Sequence, residues 1–180
     1  YAQWQSIGTN HLVVGSSKAT ADGRYEIRFE LLSLDRKTRL LGEALTVPVS
    51  QWRDAAHFAA DRIFEALTGA RGIFATKILY VNQYPHNGKV RYRLELADAD
   101  GFRPLSILDS PEPILSPGWS PDGRKVAYVS FESGRPAIYT QNIATQQRTR
   151  IASFSGLNGA PTWSPDGGRM ALTLSRDGNP

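Results

Sequence analysis

Seven residues recur almost unchanged in this chain: Pro117-Gly118-Trp119-Ser120-Pro121-Asp122-Gly123 returns as Pro161-Thr162-Trp163-Ser164-Pro165-Asp166-Gly167, with the tryptophans 44 residues apart. A period of that size points to the blades of a β-propeller. At the same offset Ala127 meets Ala171, Gly134 meets Gly178 and Pro136 meets Pro180. That makes nine identities in twenty aligned positions, where unrelated sequence gives about one.

Each copy reads as a strand, a tight turn and a second strand. Proline presets φ at the second turn position, aspartate bonds local backbone amides, and glycine supplies a positive φ. The chain therefore reverses at Ser-Pro-Asp-Gly. Residues 125–130 and 169–174 follow as short strands, apolar enough to be covered on both faces. A second turn comes next, Glu132-Ser133-Gly134-Arg135 in one copy and Arg176-Asp177-Gly178-Asn179 in the other. In the first copy residues 137–143 and 147–152 supply a third and a fourth strand. Four short antiparallel strands per period make a propeller blade, which buries its apolar faces only against neighbouring blades.

The second copy stops at Pro180, the counterpart of Pro136. About two and a half blades are then present, so a fragment of a longer propeller is expected. An earlier, weaker copy lacks the signature phrase: Lys77-Ile78-Leu79-Tyr80-Val81 resembles Lys125-Val126-Ala127-Tyr128-Val129, and residues 92–96 resemble the third strand. The expected blades are 73–110, 111–155 and a truncated 156–180. Residues 1–70 read instead as the C-terminal part of an α/β domain. Strands are expected at 12–15, 25–32 and 40–47, the second alternating through Tyr25, Ile27, Phe29 and Leu31. One helix follows, with Ser50 as its N-cap, apolar residues at Trp52, Ala55, Ala56, Ala59, Ile63 and Leu67, and Gly69 at its end. Residues 68–72 are the expected linker.

An apolar content of 41%, with no run near the roughly 18 residues of a membrane span, fits a globular chain with no membrane insertion. Cysteine is absent, which excludes disulfides and thiol chemistry and leaves the compartment open. The formal charge of +4 is scattered. Its densest spots, Arg91 with Arg93 and Arg148 with Arg150, read as solvated strand faces rather than a nucleic-acid stripe. His11, His57 and His86 lack metal-ligand spacing, so no metal and no cofactor is expected. No nucleophile elbow, metalloprotease motif or phosphate loop is present, and no catalytic residue is assigned. Asp122 and Asp166 read as turn formers rather than paired acids. Trp119 and Trp163 are expected in the core between sheets.

The Trp-Ser-Pro-Asp-Gly blades resemble those of the TolB family of the Tol-Pal envelope system. Further matches run the whole length: Trp4 with Ile7-Gly8, Leu12-Val13-Val14-Gly15, Gln51-Trp52-Arg53, Leu67-Thr68-Gly69, Arg71-Gly72-Ile73-Phe74, Ala97-Asp98-Ala99-Asp100-Gly101 and residues 128–135. The resemblance implies a non-enzymatic periplasmic adaptor, an α/β domain joined to a six-bladed propeller, monomeric at full length. It implies export through a cleaved signal peptide, and binding of the lipoprotein Pal through the propeller's central channel. An extreme N-terminal segment of the family engages TolA, and that segment is not expected within this chain. Supporting outer-membrane integrity and envelope constriction in cell division is the implied role.

If Pal docks as the resemblance implies, the contacts are loops that precede each Trp-Ser-Pro-Asp-Gly strand: Pro113, Ile114, Leu115 and Ser116, then Leu157, Asn158, Gly159 and Ala160. Ile114, Leu115 and Leu157 are expected to give apolar contact, Ser116 and Asn158 polar pairing, and Gly159 close backbone approach. The competing view is that these residues pack beneath the blade. Residues 131–135 are expected at the opposite mouth, joining two blades through an ion pair. A rival function is the gating propeller of a prolyl oligopeptidase-type serine peptidase, whose catalytic domain would lie elsewhere.

Overall fold

Alternation builds the first unit. Tyr25, Ile27, Phe29 and Leu31 take every second position of β2 (Tyr25–Ser33) and so share one face. β1 (His11–Ala19) and β3 (Thr38–Val47) flank β2 in an antiparallel meander of order β1-β2-β3. These are the three expected strands, somewhat longer than read. In this computed structural model, which describes residues 2–176 and 178, a four-residue helix α1 (Ala2–Gln5) precedes them. Tyr1, Asp177, Asn179 and Pro180, the last three belonging to the expected second turn and its end, lie outside the described residues.

Helix α2 (Trp52–Thr68) covers the Tyr25–Leu31 face. Trp52 meets Tyr25 edge-on with ring centroids 4.8 Å apart, and Phe58 meets Phe29 at 6.5 Å. Leu31 and Leu34 are fully buried, each contributing about 1.5–3 kcal/mol. Ser50 does not cap this helix. Pro48, with φ −68°, opens a 3₁₀ turn (Val49–Gln51) that takes Ser50 in, and Gln51 holds the N-cap position with no side-chain bond. The other end is as expected: Gly69, φ 73°, donates its N–H to the Glu65 carbonyl at 2.8 Å.

Residues 68–72 are not a free linker. The Asp61 carboxylate accepts the backbone N–H groups of Phe74 at 2.7 Å and Ala75 at 3.1 Å. Gly72 passes so close that a Cβ there would lie 2.2 Å from Asp61 Oδ1. The segment stays tied to α2 until Thr76, where the first unit ends and the second, from Lys77, begins.

The second unit is three antiparallel sheets. The first holds β4 (Lys77–His86), β5 (Lys89–Asp98) and β6 (Leu105–Ser110) in that order. The second holds β7 (Ile114–Trp119), β8 (Lys125–Ser130), β9 (Ala137–Asn142) and β10 (Arg148–Ala152). The third pairs β11 (Asn158–Trp163) with β12 (Met170–Leu174).

Strand β8 shows how the sheets stack. Val126 and Tyr128 point into a cluster with Leu94, Leu96 and Ile107 of the first sheet, together with Ile114, Ala137 and Tyr139. Val129 points the other way, into a cluster with Ile138, Ala152, Phe131 and, from the third sheet, Met170 and Leu172. Both faces of the second sheet are thus covered, as its continuous apolar run requires. The first sheet differs. Its far face carries Tyr84, Arg91, Arg93 and Asp109, with Asp109 accepting from all three. Arg91 and Arg93 are paired on that partly exposed face and Arg150 is exposed, whereas Arg148 is not a solvated residue: its guanidinium lies 3.7 Å from the Tyr139 ring centroid and pairs with Glu132. Trp119 and Trp163 end β7 and β11, the first (inner) strands of their sheets; both are half-buried, and Trp119 packs against the first of these clusters.

Candidate partner-binding end of the sheet stack

The repeated turn is one device built twice. Ser120 Oγ donates to Asp122 Oδ1 at 2.6 Å and accepts the Lys125 N–H at 2.9 Å, while the Arg124 N–H reaches Asp122 at 3.1 Å. In the second copy Ser164 Oγ donates to Asp166 at 2.5 Å and accepts the Arg169 N–H at 2.9 Å, and the Gly168 N–H reaches Asp166 at 3.0 Å. Gly123 and Gly167 take φ 68° and 69°. Each carboxyl is held below the usual carboxylate range, first by its serine and then by the backbone N–H. Both acids are occupied by their own turns, which is the turn-forming role read from the sequence.

The eight residues expected to meet a partner lie at the opposite end of the same strands. They are not loops throughout: Ile114, Leu115 and Ser116 open β7, while Asn158, Gly159 and Ala160 open β11. Strand alternation then separates them. Ile114 and Asn158 point inward and are buried, whereas Leu115, Ser116, Leu157 and Ala160 are exposed and Pro113 and Gly159 half-buried. Ile114 belongs to the core, so it offers no apolar contact. Asn158 has no polar group to spare either: its Oδ1 accepts the Phe154 N–H at 2.9 Å and its Nδ2 donates to the Phe154 and Gly156 carbonyls.

Sequence reasoning put residues 131–135 at the other mouth, and the structure corrects this. The Phe131 N–H donates to the Pro113 carbonyl at 3.2 Å, and in the next copy the Ser175 N–H donates to the Leu157 carbonyl at 3.1 Å. Turn and inner-strand entry therefore adjoin at one end. The ion pair also differs, since Glu132 pairs with Arg148 across a single sheet at 2.7 Å instead of joining two. Phe131 is what bridges, packing in the cluster between the second and third sheets.

One element at this end was missed altogether. Ser116 and Pro117 together face the single residue Tyr128, and Ala160 and Pro161 together face Leu172, so both inner strands bulge at the same register. The signal available was the repeated proline two residues before tryptophan. Proline has no N–H for a ladder and is tolerated in a strand at an edge or a bulge.

Antiparallel sheets stacked face to face, each running in chain order from an edge and one of them, β7 to β10, with all four strands, define a β-propeller protein. Residues 64–180 match the family model described as the TolB beta propeller domain, and residues 1–40 match the TolB amino-terminal domain. The chain belongs to the TolB family. The Tol-Pal system protein TolB of Alcanivorax borkumensis is 54% identical over 179 residues, which span 99% of this chain and 41% of that protein. The Acinetobacter baylyi protein of the same name is 50% identical across 87% of this chain and 37% of its own length. The crystal structure of TolB from Acinetobacter baumannii matches with a TM-score of 0.93 at 48% identity, covering 99% of this chain and 44% of that one. The chain thus spans about two-fifths of the length of these relatives.

Proposed function

We propose that this chain is part of a non-enzymatic periplasmic adaptor that binds the lipoprotein Pal at the end of the sheet stack formed by the entries to β7 and β11. The observation that supports this most is the display of Leu115 and Ser116 on β7, and of Leu157 and Ala160 at the entry to β11, beside the 131–135 turn. Two large apolar side chains, about half exposed at 50% and 43%, are what a protein partner covers as anchors. The polar residues and turns around them form a rim.

In this reading the three sheets are the blades expected over 73–110, 111–155 and 156–180, the first of them beginning with β4 at Lys77, and the full-length protein is a monomer. Engagement of TolA belongs to the full-length protein's N-terminal segment. The test is Pal affinity of the full-length protein by calorimetry. Leu115→Asp and Leu157→Asp together are expected to weaken binding at least tenfold, because each sets an unpaired carboxylate against an apolar partner surface. Unchanged affinity in a folded variant would place the partner elsewhere.

A further inference from the structure

Six non-glycine residues among those described have positive φ. Lys37, Asn87, Arg103 and Gln146 lie in turns between consecutive strands, where a left-handed residue helps the chain reverse. Ser116, φ 50°, and Ala160, φ 46°, lie instead inside β7 and β11. Neither carries the Asn or Asp side chain that makes this region tolerable. Each also precedes a proline, whose ring crowds the residue before it and favours extended backbone there. Backbone strain of one kind therefore recurs at one register in both copies, and in both it coincides with the bulge.

The bulge has a consequence at the surface. In a regular strand neighbouring side chains point to opposite faces, so Leu115 and Ser116 would not both be presented. Here both are exposed, and Ala160 is exposed at the matching position. Pro117 and Pro161 have no N–H to strand when the ladder is interrupted, so the interruption costs no donor.

We propose that Ser116 and Ala160 are positioning residues for the partner: their left-handed backbone holds the inner-strand entries in the shape that is bound. The inference rests on the partner-binding reading above and adds how that end is preorganised. Glycine adopts positive φ freely, so Ser116→Gly with Ala160→Gly removes the strain while freeing the bulge to sample other shapes.

The experiment uses the full-length protein, its melting temperature and its Pal affinity, with the Leu115→Asp, Leu157→Asp variant alongside. The expected result is a glycine variant that melts at or near the wild-type temperature and binds Pal at least fivefold more weakly. Binding within twofold of wild type, while the aspartate variant binds poorly, overturns the positioning role and leaves the binding end in place. Wild-type binding by both variants overturns the binding end and the positioning role together. Weaker binding accompanied by a melting temperature several degrees lower assigns the bulges to blade structure and also overturns the proposal.

Discussion

Ile114 and Asn158 stand at the same register of the repeat and are both buried, yet one is a hydrocarbon and the other an amide. Around them the copies agree closely: the turn glycine N–H donates to the turn serine carbonyl at 2.9 Å in one and 2.8 Å in the other. The difference lies in what leads into each strand. Three residues, 111–113, connect β6 to β7, whereas five, 153–157, connect β10 to β11. The longer connection folds back over the strand entry, and the buried Asn158 side chain holds three of its backbone groups, on Phe154 and Gly156. Ile114 has no such groups to serve and fills the cluster between the first and second sheets. The repeat is thus uniform where one backbone shape is required, and varied where a side chain answers its own surroundings.

The strongest way to break this contrast is to exchange the two side chains. Ile114→Asn places an amide in the apolar cluster between the first and second sheets, and is expected to cost about 3–5 kcal/mol. Denaturant unfolding of the full-length protein measures it. A loss below about 1 kcal/mol would mean that the position tolerates polarity and that the contrast has no packing basis. The reverse change, Asn158→Leu, leaves three backbone groups of the 154–156 connection without their partner. A loss of about 2–3 kcal/mol is expected, with faster hydrogen exchange at the Phe154 amide. A stabilised variant would show that the connection does not need the amide.

Smaller changes test the uniform part. Ser120→Ala and Ser164→Ala each remove one hydroxyl that accepts a backbone N–H and donates to an aspartate. Each is expected to lower stability by about 1 kcal/mol. Near-equality is the sharper claim. Costs differing by more than about 1 kcal/mol would show that the two turns, alike in geometry, are not alike in energy.

How far the residues alone disclosed this arrangement follows from the same contrast. The Ser-Pro-Asp-Gly turns were readable because proline, aspartate and glycine each have one backbone reason to be there. Strands β8 and β9 followed from the period, and the end of α2 from Gly69. The start of α2 was misread because Pro48, two residues upstream of Ser50, decides it through a 3₁₀ turn. Residues 113–116 and 157–160 were read as loops because the period locates the phrase but not the strand's first residue. Placing Ile114 and Leu115 in a strand shows at once that only one of them faces out. The bulge and the Asn158 bonds depend on register and on distant backbone groups, which no local pattern contains. The family resemblance carried the fold, whereas residues 113–116 and 157–160 were singled out only by their place before the repeated phrase.

The smallest expected effect concerns acid. Asp122 and Asp166 have carboxyls lowered by their serine and backbone donors, and Asp22, in the β1–β2 hairpin, is held at about 2 by Thr20 and Arg24 in the same manner. A carboxyl whose folded pKa lies below its unfolded value stabilises the fold above the unfolded value, near 3.8, and that contribution is lost as pH falls through the folded one. All three groups lie at the surface, so the effect is small and partly screened by salt. Between pH 5 and pH 2 the wild-type protein should therefore lose slightly more stability than Asp122→Asn or Asp166→Asn, and by the same margin for both. Asp22→Asn should flatten the same limb across the window from about 3.8 down to about 2, where the wild-type carboxylate loses its Thr20 and Arg24 bonds. If the Asp122 and Asp166 variants flatten the acid limb unequally, the two turns hold their protons differently, and the uniformity of the repeat ends at backbone shape.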